Sequence, residues 1–457
     1  MAGLLDRERI VAKPGFNRWL VPPAALAIHL CIGQAYAFSV FKLPLTRVLG
    51  ITESAAGDWS QTQLAWVFTL AIVFLGLSAA VFGKWLERAG PRKSGVVAAI
   101  CWSSGFFLSA VAVHLHNIWL LYLGYGIIGG CGLGIGYITP VSTLIKWFPD
   151  RRGLATGMAI MGFGGGAMIA SPLSQMLMER FRTPASVGVI QTFCVLGAVY
   201  GIAMLAGAFG FRVPAPDWKP RGWTPPATSN ALVTRGQVHV SKAVITPQFY
   251  LLWAVLFLNV TAGIGILEQA APMIQEMFSG KVTAAAAAGF VGLLSLFNMA
   301  GRFGWASLSD RIGRKPTYAA FFTIGPLLYF LIPATGRMGS VVLFVIACAI
   351  VLTMYGGGFA TIPAYLADLF GSQFVGAIHG RLLTAWSAAG VAGPVLVNYI
   401  RQARIDAGVP KAEAYDSTMH VMAALLVIGF VCNLLVKPVD ARHFMSDDEL
   451  AAVRAGK

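Results

Sequence analysis

Charge is what this chain lacks. Only 12% of its 457 residues are Asp, Glu, Lys or Arg, while 57% are hydrophobic. A soluble domain carries roughly 25% charged residues. No water-soluble fold covers that much apolar surface, so the surrounding solvent has to be lipid. Acid is the scarcer sign, with 19 Asp and Glu against 34 Lys and Arg, a formal net charge of +15. That imbalance raises nucleic acid as a partner. The cations, however, lie in short segments between apolar runs, where membrane topology places them, and no nucleic-acid partner is expected. Cysteine is also sparse. Cys31, Cys101, Cys131, Cys194, Cys348 and Cys432 are scattered through apolar runs. With no close pair and no His cluster, they read as packing residues, and no metal and no cofactor is expected. A cleavable leader is missing too: Met1 to Arg18 is charged and reads as a cytoplasmic tail. No segment outside the apolar runs is long enough to fold by itself, which disfavours a receptor. No paired acids or nucleophile–base set occupies adjoining runs, which disfavours an enzyme.

What is present is a succession of apolar runs from Trp19 to Val436. Crossing the hydrocarbon takes about 20 apolar residues in a helix. Barrel strands would alternate polar and apolar positions. These runs are apolar all round, so the chain is expected to be an all-α membrane protein. Twelve transmembrane helices are predicted near 19–41, 62–82, 94–113, 118–145, 153–177, 188–211, 248–270, 284–308, 317–336, 340–366, 376–400 and 418–436. They divide into a tail (1–18), a first six-helix bundle (19–211), a flexible Pro-, Thr- and Arg-rich linker (212–247), a second bundle (248–436) and a second tail (437–457). If both termini are inside, the inner segments hold 24 Lys and Arg, the outer loops hold 9, and Arg302 lies within a span. Excess inner cations predict that both termini are cytoplasmic, in a multi-pass protein of the inner (plasma) membrane.

The two bundles repeat one another at an offset of 223 residues. Glu87-Arg88 in GKWLERAGPRK matches Asp310-Arg311 in SLSDRIGRK. Pro140 matches Pro363, and Gly153 and Gly157 match Gly376 and Gly380. Three anchors at one offset argue for a duplicated six-helix unit, a common plan among secondary transporters. The repeated acid–Arg–x–Gly segments place Glu87, Arg88, Arg92, Asp310, Arg311 and Arg314 at inner helix ends. There they are expected to pair with helix ends of the opposite bundle and to hold a gate shut. An ordinary positive-inside loop is the plainer alternative.

These duplicated segments resemble the signature loop of the major facilitator superfamily, with Glu87 for the usual Asp and Pro91 inserted before Arg92. GQAYAFSVF (33–41), GCGLGIGYITPVSTLIKWFPDRRGLATG (130–157) and YGGGFATIPAYLADLFG (355–371) narrow the resemblance to the oxalate/formate antiporter family, related to the monocarboxylate transporters. It implies two pseudo-symmetric bundles and exchange or proton symport of small organic acids by alternating access. The expected partners are a small carboxylate, protons and the lipid bilayer, with the protein a monomer. An exporter of lipophilic drugs is the alternative within the class.

Arg302 is the sharpest single feature. An Arg within a span costs at least about 2.5–3.5 kcal/mol on insertion scales. Snorkelling toward Asp310 is the bland explanation. Against it, the 223 offset maps Arg302 onto Ala79, outside the repeated scaffold. A guanidinium can bind one carboxylate through two parallel hydrogen bonds. Asn298, four residues earlier, shares its helix face. By resemblance, an Arg in helix 8 is the family's carboxylate anchor. The family's oxalate carrier adds a Lys in helix 11, where Trp386 takes the place here. One central cation favours a monoanion such as formate, pyruvate or lactate over oxalate. Arg381 and His379, nearer the inner end, read as loop charges. Tyr36, Tyr137 and Tyr355 are candidates for the pocket or for plain packing, and Gln34 and Gln61 are weaker candidates. Glu268 on helix 7 is a coupling site or a solvated cap. His29 on helix 1 is a coupling site or a hydrogen-bonded packing residue.

Overall fold

The computed structural model describes residues 3–216, 218–224 and 230–454, the side chains of Glu268, Ala284, Ala285 and Arg454 excepted. Among the described residues the only β contacts are isolated bridges. Twelve helices are long and apolar enough to cross a membrane. In the first half they are α1 (Arg18–Ala37), α2 (Gln61–Ala89), α3 (Pro91–His114), α4 (Ile118–Trp147), α5 (Arg152–Phe181) and α6 (Val189–Gly210). In the second half they are α7 (Pro247–Met277), α8 (Ala284–Ile312), α9 (Arg314–Arg337), α10 (Val341–Phe370), α11 (Val375–Asp406) and α12 (Ala414–Leu435). The described parts of both tails and of the 212–247 connection lie at one end of the bundle, called here the linker end.

The predicted boundaries fall short at the helix ends. The segment GKWLERAGPRK reads as a loop, yet α2 runs to Ala89 and α3 starts at Pro91. The turn is Gly90 alone, at φ 83°. Gly313, one repeat later at φ 90°, joins α8 to α9 in the same way. Side chains rarely adopt this backbone, so glycine is required there. The acids therefore sit in the last helical turn, facing inward, rather than in a solvated loop. Helix 1 is not continuous over 19–41: it tightens into a 3₁₀ stretch at Gly33–Ala37 before a short helix, Ser39–Leu45. There its backbone presses on α5, where a β-carbon on Gly33 would lie 2.5 Å from the Phe163 carbonyl oxygen.

The connection, expected to be flexible, is held on both flanks. Val213 bridges to Val11 and Trp218 packs on Trp147 at 4.7 Å. Further on, Thr234 and Val238 donate backbone N–H bonds to the Asp368 and Phe370 carbonyls. The charged flanks find backbone partners, which an apolar-run reading cannot see. Each half is also braced internally. Arg92 donates to the Phe209 carbonyl at the end of α6, and Lys315, its repeat mate, to the Leu434 and Val436 carbonyls at the end of α12.

Glycines bring the halves together. A β-carbon on Gly153 would stand 2.0 Å from the Ala306 carbonyl oxygen, and one on Gly380 2.1 Å from that of Ala79. These approaches join α5 to α8 and α2 to α11. They continue along the same helices to Gly165 against Met299 and Gly390 against Ile72, near mid-span.

Candidate functional site

Arg302 lies on α8, fully buried at this junction. Its Nε donates to Asn298 Oδ1 at 3.0 Å, one turn earlier, so the asparagine fixes the plane of the guanidinium. Nη1 reaches the Ile160 carbonyl of α5 at a long 3.4 Å. Nη2 has no hydrogen-bond partner. The guanidinium carbon stands 5.1 Å from the Phe359 ring and 5.7 Å from the Phe163 ring, which shelter its charge from lipid.

The aromatic candidates converge on this point. The Tyr36 and Tyr355 hydroxyls are 3.4 Å apart, joining α1 to α10 across the two halves. Arg302 acts electrostatically on Tyr36, Tyr137 and Tyr355 alike and stands within hydrogen-bonding reach of the Tyr36 and Tyr137 hydroxyls. Tyr137 Oη, on α4, makes no well-aligned hydrogen bond. Trp386 of α11 packs 4.6 Å from Phe359, tilted, and edge-on 5.3 Å from both Tyr137 and Phe163. Tyr36 is partly exposed, whereas Tyr137, Tyr355 and Trp386 are buried. The result is an aromatic box around one guanidinium, with an N–H group and a hydroxyl that face each other without a well-aligned hydrogen bond inside a low-dielectric setting. An unmet buried donor is costly, so such a site favours an acceptor that is charged, small and planar.

Other candidates fall elsewhere. Gln34 accepts from Tyr125 Oη at 3.0 Å, inside a first-half cluster with Trp102 and Phe38. Gln61 is exposed at the start of α2, beside the Ser60–Gln63 capping box at the far end. Being polar at a helix start explains it without a ligand. The Glu268 side chain lies outside the described residues. His29 is buried behind Phe163 and Tyr137, with both ring nitrogens on backbone carbonyls.

The repeated acids meet helix starts of the opposite half. Asp310 accepts the backbone N–H groups of Gly153 and Leu154, both at 2.8 Å, at the start of α5. Glu87 accepts from Gly376 N at 2.9 Å, at the start of α11, and from Ser142 at 3.1 Å, and it pairs with Lys146. The first N–H groups of a helix lack internal partners and carry partial positive charge, so a carboxylate caps them well. Arg314, buried, bridges Asp310 at 2.6 Å and Asp368 at 3.0 Å, and Arg152 reaches Asp368 at 2.8 Å.

Not all the expected gate residues take part. Arg88 and Arg311 are exposed, their long side chains reaching water from the last helical turn. Arg92 braces its own half, because Pro91 occupies the repeat position of Arg314 and moves the guanidinium on by one residue. Arg152, Asp368 and Lys146 went unnoticed. The visible signal was Asp368, an acid at the inner end of an otherwise apolar run, within YLADLFG. A vestibule of about 1190 Å³ opens at the linker end, lined by these charged residues and by linker residues such as Trp218 and Thr234. Arg302 is not among its lining residues.

Comparison with known proteins agrees with this architecture. Residues 24–394 match the Major Facilitator Superfamily. An uncharacterized MFS-type transporter of Escherichia coli, YhjX, is 29% identical over 78% of this chain and 81% of its own length. The oxalate:formate antiporter of Oxalobacter formigenes is 27% identical over 82% of this chain and 83% of its own. Human monocarboxylate transporter 11 is 25% identical over 84% of this chain and 77% of its own. The fucose:proton symporter of Escherichia coli superposes with a TM-score of 0.64 at 14% identity, over 91% of this chain and 99% of the other, a likeness of fold alone.

Proposed function

Because the chain belongs to the Major Facilitator Superfamily and is a multi-pass membrane transporter, not an enzyme, we propose that it carries small monocarboxylates such as formate, pyruvate or lactate by alternating access. The observation behind this reading is Arg302: a buried guanidinium at the junction of the halves, with Nη2 unpartnered and tyrosine hydroxyls around it. A carboxylate on Nη1 and Nη2 forms the fork pair, and the Tyr137 hydroxyl donates to it. The aromatic walls suit a small organic body and leave no second cation for a second carboxylate.

In this reading the linker end is cytoplasmic and the Asp310 and Glu87 caps are the inner gate. Closing joins each acid to the start of a helix in the other half. Opening parts α5 from α8 and α2 from α11, and the vestibule becomes the way in. The test is competition by formate, pyruvate, lactate and oxalate against a labelled monocarboxylate in reconstituted vesicles. Monocarboxylates are expected to compete at least tenfold better than oxalate. Preference for oxalate would overturn the one-cation argument, and transport of none of the four would overturn the substrate class.

A further inference from the structure

His29 sits between two carbonyl oxygens. Its Nδ1 lies 2.6 Å from the Ala159 oxygen on α5, and its Nε2 lies 3.1 Å from the Tyr137 oxygen on α4. A neutral imidazole has one N–H, so one of these two contacts sets lone pair against lone pair. Only the imidazolium, with two N–H donors, satisfies both. The ring is fully buried, so the two carbonyls are its whole polar surroundings.

Few titratable groups face it. Arg302 on α8 acts on it through the Phe163 ring, which stands 6.5 Å from the imidazole and 5.7 Å from the guanidinium. Tyr137 of α4 stacks on it at 5.2 Å, and His379 of α11 lies on the other side of Tyr137, at 5.9 Å from that ring. Besides Ala159, α5 brings the Phe163 ring to it, and neither residue is titratable. Tyr200 of α6 turns to Phe106 instead. No carboxylate appears among these neighbours. Among the described residues, the one fixed charge acting on His29 is therefore the guanidinium that the carboxylate reading assigns to substrate.

We propose that His29 takes up the proton that accompanies the substrate anion, its protonation being licensed when a carboxylate neutralises Arg302. Burial is the first cost of a charged His29, and with Arg302 bare a second cation in this low-dielectric region is also repelled, so the ring stays neutral. With the anion paired to Arg302, the repulsion is cancelled. A ring nitrogen then binds a proton from water, and both N–H groups donate to the waiting carbonyls. The cavity holds one net positive charge in both states, so anion and proton move as a neutral pair. His379, whose two ring nitrogens have no partner, offers no such acceptors. The inference rests on the carboxylate reading and adds the coupling ion to it.

Two measurements on the purified full chain separate the two claims. In vesicles, counterflow of labelled against unlabelled pyruvate at equal pH tests the carboxylate reading alone. Accumulation of pyruvate driven by one pH unit, acid outside, tests coupling: one proton per anion drives about tenfold accumulation. Wild type is expected to do both. His29→Asn and His29→Gln are expected to keep counterflow within a few-fold and to lose the gradient-driven accumulation. Counterflow without accumulation in wild type, or accumulation surviving in either variant, overturns the role of His29 and leaves the carboxylate reading intact. Absence of counterflow in wild type overturns both. If neither variant folds, a pH indicator in weak buffer decides, by reading proton uptake when pyruvate is added to detergent-solubilised protein. Uptake kept by His379→Gln supports His29, and uptake lost with His379, or absent in wild type, overturns it.

Discussion

Arg302 divides its donors unevenly, and the division sets what its substitution does. Nε is held by Asn298 while Nη2 is unpartnered. Lysine keeps the charge, but its single nitrogen lacks the planar fork that lets one edge hold Asn298 while the other meets a carboxylate. Hydrogen bonds to charged groups contribute about 1.5–3 kcal/mol each, so Arg302→Lys is expected to weaken substrate binding tenfold or more, read as competition against labelled pyruvate. Asn298→Ala frees the guanidinium plane and is expected to cost several-fold in the same assay. Trp386→Lys puts a second cation within the aromatic box and is expected to shift preference toward oxalate; an unchanged ratio would show that the side chain leaves the cavity. Outside the membrane, Asp150 is a simpler titration. Burial pushes its carboxyl up, but hydrogen bonds from Arg18 outweigh this and hold it below the usual range. The Arg18–Asp150 pair is thus complete above about pH 4 and is lost as pH falls through the lower folded-state value. Amide exchange across residues 7–18 is expected to quicken only under that acidification. Arg302 was legible in the sequence because a charge in an apolar run announces itself. Phe163 and Phe359 were not, since a phenylalanine in a membrane helix has no cost to explain.

At the scale of elements, the closed linker end depends on helix starts that carry no side chain. A methyl group at Gly153 or Gly380 meets a backbone oxygen of the other half at about 2 Å, and neither backbone can yield alone. Gly153→Ala and Gly380→Ala are therefore expected to favour the state open at the linker end. Asp310→Asn removes the charge that caps α5 and is expected to act in the same direction, slowing exchange while pyruvate binding stays within a few-fold. Reactivity of a cysteine placed at Ser142, beside Glu87 and Gly376, checks all three: it is expected to rise several-fold over a wild-type gate carrying the same cysteine. The offset of 223 pairs Glu87 with Asp310, Gly153 with Gly376 and Gly157 with Gly380, which made these acids and glycines legible. What it could not supply was which acid meets which helix. That depends on α2 ending in helix rather than loop, and on Gly90 and Gly313 being the whole of each turn. Charged residues at a helix end look like loop when read along the chain, because water and an opposing helix start satisfy them equally well.

For the whole molecule, the count of cations predicts which side each loop faces, and labelling tests it directly. Cysteines at Ser446 and Thr183, both exposed, lie at opposite ends of the bundle. Impermeant reagent is expected to reach Ser446 only from the cytoplasm and Thr183 only from outside. The number of spans was readable because lipid permits so few backbone solutions. The holding of the linker flanks by Val11, Trp147 and Asp368 was not, since those partners are distant in sequence and mostly backbone. The reciprocal caps carry a further meaning. Glu87 serves the second half and Asp310 serves the first, each at a position one repeat from the other. Two identical copies of either half, set side by side about a twofold axis, would each give an acid and receive one. The contact would be isologous, the same patch used twice. The present chain makes that same handshake within one polypeptide. Arg302 occupies a place where the other half has only Ala79, so the symmetric frame encloses an asymmetric centre. An anion held there meets a different wall on each side, although the doors that release it are built alike.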